Sequence, residues 1–194
     1  MKSKENTLFI KNMVCPRCIK VVGEELEKLN IKVKSIILGE VETELPKEKL
    51  PIDKIQKVLL DNGFELIDDK NSKIIEKIKS EIISVIQNYE GEDISQISFP
   101  EYLASKIYKD YNYLSSVFSK TEGITIEHYI IMQKIEKVKE LLKYDELTLS
   151  EIAYQLGYSS VQHLSRQFKK TTGLTASEFK NNLSVQRKPI DKLI

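Results

Sequence analysis

The stretch Leu149-Ser150-Glu151-Ile152-Ala153-Tyr154-Gln155-Leu156-Gly157-Tyr158-Ser159-Ser160-Val161-Gln162-His163-Leu164-Ser165-Arg166-Gln167-Phe168-Lys169-Lys170-Thr171-Thr172-Gly173 decides the fold of the C-terminal half. Ala153 and Leu156 lie one helical turn apart, and Gly157 follows where a helix-turn-helix often places its turn glycine. Val161, Leu164 and Phe168 recur at helical spacing and predict a buried stripe. Gly173 stands where that second helix is expected to stop. The pattern is helix, tight turn, helix.

The same pattern occurs once more, upstream. Leu114-Ser115-x-x-Phe118-x-Lys120-Thr121-x-Gly123-Ile124-Thr125 reappears as Leu164-Ser165-x-x-Phe168-x-Lys170-Thr171-x-Gly173-Leu174-Thr175, an offset of 164 − 114 = 50. Ala104-x-x-Ile107-x-x-Asp110 matches Ala153-x-x-Leu156-x-x-Ser159 at 153 − 104 = 49, so the second copy carries one extra residue ahead of its last helix. Between the copies, Ile126 to Lys143 reads as one helix through Ile131, Ile135, Val138, Leu141 and Leu142. Ser98-x-x-Glu101, Thr148-x-x-Glu151 and Thr175-x-x-Glu178 each predict a capping box, in which hydroxyl and carboxylate satisfy the first free N–H groups reciprocally.

A helix-turn-helix lays its second helix in the DNA major groove, and two of them on one chain must meet grooves about 34 Å apart. The connecting stretch has 143 − 126 + 1 = 18 residues, about 27 Å of helix, the right scale for a spacer. With Val161, Leu164 and Phe168 inward, Gln162, His163, Arg166 and Gln167 are left nearer the outer face. Gln pairs bidentately with adenine and Arg with guanine. Lys169 and Lys170, at the helix end, suit phosphates better than base edges. In the first copy Leu114 and Phe118 turn inward, and Asn112, Ser115, Ser116 and Ser119 are expected to face out. That copy has no Arg and is the weaker reader.

Charge agrees. The chain of 194 residues carries 30 Lys+Arg and 29 Asp+Glu, but residues 159–192 hold 7 basic against 2 acidic side chains, a local footprint for a polyanion. With 41% hydrophobic and 30% charged residues, the composition is that of a globular protein and excludes a disordered or collagen-like chain. Two Cys cannot build a disulfide framework. Apolar runs stop at four residues, far short of the roughly 20 that a membrane span needs, and the first residues have no apolar signal core. The expected location is the cytoplasm, with no membrane partner. His128 and His163 have no nucleophile partner and no Gly-rich phosphate loop occurs, so no enzyme activity is expected.

Residues 95–183 resemble the DNA-binding domain of the AraC/XylS family of bacterial transcription regulators, and residues 149–173 match its signature region. The resemblance places base-contacting positions at Gln162, His163 and Arg166, and at Asn112 and Ser116 in the first copy. Tyr158 and Leu164 stand where Phe is usual in that family, Ala176 where Pro is usual, Ser116 where Arg is common, and Tyr108 in place of a turn Gly. The resemblance implies double-stranded DNA and RNA polymerase as partners, and a homodimer is a further expectation.

The N-terminal half reads differently. Thr7-Leu8-Phe9-Ile10 is a short strand. Pro16 suits a first helical turn, and Ile19, Val22, Leu26 and Leu29 continue the helix. Residues 32–38 and 41–45 are β-rich around Gly39-Glu40, a hairpin signal. Pro51 opens a second helix through Ile52, Ile55, Val58 and Leu59 that ends at Asn62-Gly63, and Phe64-Glu65-Leu66-Ile67 makes a last strand. The order βαββαβ is ferredoxin-like. Residues 68–72 read as a polar break, and a helix from Lys73 to Gln87 carries Ile75, Ile78, Ile82 and Val85 on one stripe. Glu90-Gly91-Glu92-Asp93 reads as a second break. The expected fold is an α+β ferredoxin-like domain over 1–70, a linker helix over 71–94 and an all-α double helix-turn-helix domain over 95–194.

Cys15 and Cys18 form a CxxC motif with Cys18 in the first turn of a helix. Free N–H groups, the helix dipole and Arg17 are all expected to favour thiolate. Soft thiolates favour Cu(I), or Zn(II) given further ligands. Two sulfurs serve a linear Cu(I) but fill half of a tetrahedral zinc site. Residues 5–68 resemble a heavy-metal-associated domain, whose metal loop Met13-x-Cys15-x-x-Cys18 matches; Asn12 stands where that family has Gly. Met13 itself reads as a core plug. A reversible Cys15–Cys18 disulfide and an inert pair remain open beside metal binding. The combined expectation is a DNA-binding regulator that senses a soft metal ion or thiol redox state. Its competitor is a metal carrier or redox protein whose helical half binds a protein partner.

Overall fold

The computed structural model describes residues 6–87, 94–181 and Ile190. The chain divides into two compact units, Met1–Ser84 and Val85–Ile194. The expected break at 90–93 lies outside the described residues.

In the first unit, β1 (Thr7–Lys11), α1 (Pro16–Lys28), β2 (Val33–Ile37), β3 (Glu40–Thr43), α2 (Ile52–Asp61) and β4 (Glu65–Ile67) follow in the expected order. The sheet runs β2-β3-β1-β4 and every pairing is antiparallel. Leu8 opposes Val41, and Ile10 opposes Leu66. Alternation puts these on one face, where they pack with Val22 and Leu26 of α1 and Ile55 and Leu59 of α2. Gly39 closes the β2–β3 turn at φ +80, a conformation that glycine adopts without strain.

The opposite face carries Phe9, flanked in register by Glu40 and Ile67. The first turns of α3 (Lys70–Gln87) lie against it. Lys73 Nζ lies 5.1 Å from the Phe9 ring centre, and Lys77 pairs with Glu40 at 3.0 Å. The expected stripe Ile75, Ile78, Ile82 and Val85 is buried. The polar break assigned to 68–72 is corrected here. The helix starts at Lys70 because Asp69 accepts from the backbone N–H groups of Asn71 (2.8 Å) and Ser72 (3.2 Å), an N-cap that initiates the helix three residues early. The division between units falls within α3.

In the second unit, α4 (Phe99–Ile107), α5 (Tyr111–Glu122), α6 (Ile126–Tyr144), α7 (Leu149–Gln155), α8 (Val161–Thr172) and α9 (Ala176–Asn181) are all helical. Ile135, Val138 and Leu142 of α6 meet Ile152, Ala153 and Leu156 of α7, Leu164 and Phe168 of α8, and Phe179 of α9 in one core. Around the first copy, Leu103, Leu114, Phe118 and Tyr129 are buried, with the rings of Phe118 and Tyr129 5.6 Å apart.

Two of the three expected capping boxes form. The Glu151 N–H donates to Thr148 Oγ1 at 3.2 Å while the Thr148 N–H donates to the Glu151 carboxylate at 2.7 Å, and Thr175 with Glu178 repeats the arrangement. The third does not form. Ser98 starts α4 with no side-chain cap bond. Its ψ of 98 departs from the 158 of Thr148, which turns its hydroxyl off the free N–H groups, and Pro100 removes one of those donors.

Candidate nucleic-acid interface

Each repeat presents its second helix in the same way. Asp110 begins α5 by accepting from the N–H of Asn112 at 2.9 Å, and Ser160 begins α8 by accepting from the N–H of His163 at 3.1 Å. Gly123 (φ +73) and Gly173 (φ +79) end the two helices. Leu114 and Phe118 in one, and Leu164 and Phe168 in the other, are fully buried. Position by position, the two helices share one register of burial from their first residue to the core phenylalanine.

That register fixes what faces outward. Gln162, His163, Arg166, Lys169 and Lys170 are exposed on α8, and Gln167 is half-buried. On α5, Asn112 and Ser116 are exposed and Ser115 is half-buried. Ser119 is also half-buried and donates to its own helix, to the Ser115 carbonyl at 2.7 Å, which corrects its expected outward role. Tyr113, exposed on the same face, was not among the expected readers. It stands 163 − 113 = 50 residues before His163, so the repeat offset marks it.

Behind α8, Tyr158 is a hub. The His163 ring meets it edge-on with centroids 5.4 Å apart, and Nδ1 of His163 lies 3.1 Å from Ser159 Oγ. Lys134 of α6 places its ammonium 5.4 Å from the Tyr158 ring centre. Burial pushes the Lys134 pKa down to about 8 and the Tyr158 hydroxyl up. His128, on the first turn of α6, is exposed.

In the first unit Cys15 precedes α1 and Pro16 opens it. The two thiols are free, half-buried and 3.4 Å apart at sulfur. Burial pushes the Cys18 thiol up, against the pull of its backbone hydrogen bonds. At Cys18 this runs against the expected thiolate bias, since desolvation disfavours the charged form, and Arg17 is exposed. Met13 is buried in the core, as expected of a plug. The donor set suits a two-coordinate soft ion. Among the described residues no group of three or more His, Cys, Asp or Glu is placed to hold a metal ion, so a closed four-ligand zinc site does not fit them.

Residues 103–182 match the family model described as a helix-turn-helix domain. The chain is 30% identical over 105 residues to YijO, an uncharacterized HTH-type transcriptional regulator of Escherichia coli (strain K12); the match covers 54% of this chain and 37% of that protein. It is 28% identical over 123 residues to YtdP, an uncharacterized HTH-type transcriptional regulator of Bacillus subtilis (strain 168), covering 60% of this chain and 15% of that protein. This chain thus spans little more than a third of the first relative and less of the second. Among solved structures, the C-terminal domain of AraT, a response regulator from Geobacillus stearothermophilus, aligns at 24% identity and a TM-score of 0.48 over 62% of this chain and 97% of that one. The C-terminal domain of the two-component response regulator yesN from Fusobacterium nucleatum aligns at 31% identity and 0.45 over 53% and 97%. Residues 103–182 form a helix-turn-helix domain.

Proposed function

We propose that this chain is a sequence-specific DNA-binding transcription regulator of the AraC/XylS type. The observation that carries the reading is the duplicated presentation of α5 and α8: two capped helices with one register of burial and polar outer faces. Arg166, Gln162 and His163 on α8 read base edges, with Gln167 at their margin. Lys169 and Lys170 take phosphates. Asn112, Ser115 and Ser116 on α5 make a weaker second reader, with α6 as the spacer. RNA polymerase is the natural downstream partner and the cytoplasm the natural location. The role is binding, not catalysis. The test is fluorescence anisotropy of the full chain on genomic DNA fragments across a salt series. Counterion release predicts affinity that falls steeply with salt; salt-independent binding, or none, removes the reading and leaves a protein partner for the helical half.

We further infer that the first unit senses a soft cation or the thiol redox state at Cys15 and Cys18. The adjacency of the two sulfurs supports this. A soft cation such as Cu(I) would be held by the two sulfurs, and a second chain would have to complete any zinc site. Elemental analysis of the purified protein beside the Cys15→Ser/Cys18→Ser variant tests it: equal metal content in both sinks the metal half. Thiol titration after mild oxidation tests the redox half in the same pair.

A further inference from the structure

The two repeats differ in length between the left-handed turn residue and the helix cap. In the first copy Lys109 alone separates Tyr108 from the cap Asp110. In the second, Tyr158 and Ser159 separate Gly157 from the cap Ser160. The caps themselves are equivalent: the N–H of Tyr113 donates to Asp110 at 3.4 Å, and that of His163 to Ser160 at 3.1 Å. The extra residue is thus not needed to start the helix. With it, the turn supplies two side chains that hold the His163 ring. Tyr158 meets that ring edge-on at 84°, with centroids 5.4 Å apart, and Ser159 Oγ lies 3.1 Å from its Nδ1. Tyr158 is itself fixed, by its N–H to the Ala153 carbonyl at 2.8 Å and by the Lys134 ammonium 5.4 Å from its ring centre. His163 is exposed, and its Nε2 bonds to none of the described residues.

We propose that Ser159 and Tyr158 are positioning residues that fix His163 as a hydrogen-bond donor to DNA, so that the base it selects is guanine. The inference rests on the DNA-binding reading above and names what one of its readers prefers. A neutral imidazole has one donor and one acceptor nitrogen. A ring nitrogen is a much stronger acceptor than a hydroxyl oxygen, so the Ser159 hydroxyl donates to Nδ1 and the ring proton stays on Nε2. A free imidazole turns and offers either nitrogen. Held between Ser159 and the Tyr158 ring, it offers the donor alone. In the major groove guanine shows two acceptors, N7 and O6, whereas cytosine shows the N4 donor. Tyr113, at the same position of the first copy, carries a hydroxyl that donates and accepts alike.

The test uses the full chain and a duplex selected from a random pool. Nitrogen-15 spectra at about pH 8.5, above the range in which histidine ordinarily changes charge, are expected to show His163 protonated at Nε2, with His128→Gln giving the assignment. A proton on Nδ1 overturns the inference. Each base pair of the selected site is then replaced in turn. His163→Ala is expected to flatten one pair, at which the unaltered chain favours guanine over cytosine roughly 3- to 10-fold, the effect of one hydrogen bond. Ser159→Ala is expected to cut that preference to within about 2-fold while the other pairs and the salt slope stay as they were. Ser159→Thr, which keeps the hydroxyl, retains it. Preference unchanged in Ser159→Ala, or lost at every pair alike, overturns the inference and leaves the DNA-binding reading standing. So does His163→Ala if it flattens no pair, or one at which guanine is not favoured. A full chain that selects no sequence overturns that reading and the inference with it.

Discussion

Tyr108 and Gly157 hold the same place in the two repeats, 157 − 108 = 49 residues apart, and both turn the chain through a left-handed backbone, at φ 57 and φ 67. A tyrosine thus occupies the conformation that its counterpart meets with a glycine. The repeat geometry, not the residue's preference, sets the turn: Tyr108 ends α4 through its N–H to the Ala104 carbonyl at 2.9 Å while its side chain is 87% exposed.

Opposite outcomes follow at these two positions. Tyr108→Gly relieves the left-handed penalty of about 1–2 kcal/mol, less the entropy that glycine adds to the unfolded chain, and is expected to slow exchange of α4 and α5 amides. Gly157→Ala is expected to cost about 2–4 kcal/mol. Besides the backbone penalty, the added Cβ would sit 2.8 Å from the backbone nitrogen of Ser95 and 3.0 Å from its Cα, and a main chain yields little. Native-state hydrogen exchange of both variants decides; a well-tolerated Gly157→Ala would disprove the close approach.

Caps sort in the same manner. Thr148→Ala removes one half of a formed capping box and is expected to destabilise α7 by about 1 kcal/mol. Ser98→Ala removes a hydroxyl that makes no cap bond and is expected to be neutral. Chemical denaturation of the pair checks the contrast, and equal losses would contradict it.

Lys134 gives the second unit a pH dependence of calculable sign. Its folded pKa of about 8 lies below the ordinary 10.5, so between those values the unfolded chain binds a proton that the folded one has released. Stability then rises with pH across that window, as the cost of burying the ammonium is relieved. Lys134→Met is expected to stabilise the unit at pH 7 by about 1 kcal/mol after allowance for partial exposure and the lost contact with the Tyr158 ring, and to flatten the rise. Thermal unfolding at pH 7 and 9.5 measures both. A rise that persists in the variant would belong to another group.

On the proposed DNA face, Arg166→Ala is expected to cost roughly 1–3 kcal/mol on a selected site and to relax preference at one base pair, whereas Lys169→Ala weakens all sequences alike and lowers the salt slope by about 1. Competition binding against single-base variants of the site separates them. Uniform loss from Arg166→Ala would demote it to a phosphate contact.

The helical half was legible because its signals are local and redundant: apolar residues at helical period, glycines at helix ends, and a second copy that repeats both. The ferredoxin-like order was legible for the same reason. What escaped the sequence depends on tertiary surroundings. The stripe on α3 declares that it must be buried but not by what, and the seat of the helix's first turns beside Phe9 and Glu40, through Lys73 and Lys77, needs a partner chosen across the fold. Ser98 carries a capping motif whose success turns on one backbone angle. The CxxC motif suggests thiolate through its helix start, yet Cys18 is governed by how much water its neighbours exclude. Tyr113 is not a residue type that marks a base reader by itself; only its offset of 50 residues from His163 singles it out.

The two outward helices are unlike: α8 offers Arg166, Lys169 and Lys170, while α5 offers Asn112, Ser116 and Tyr113 with Lys120 at its end. A single copy of this unit therefore has a head and a tail. Any duplex it engages would be gripped with polarity, the more basic end on one segment and the end richer in amide and hydroxyl groups on the next, so flipping a target end for end would present a different ligand although no base had changed.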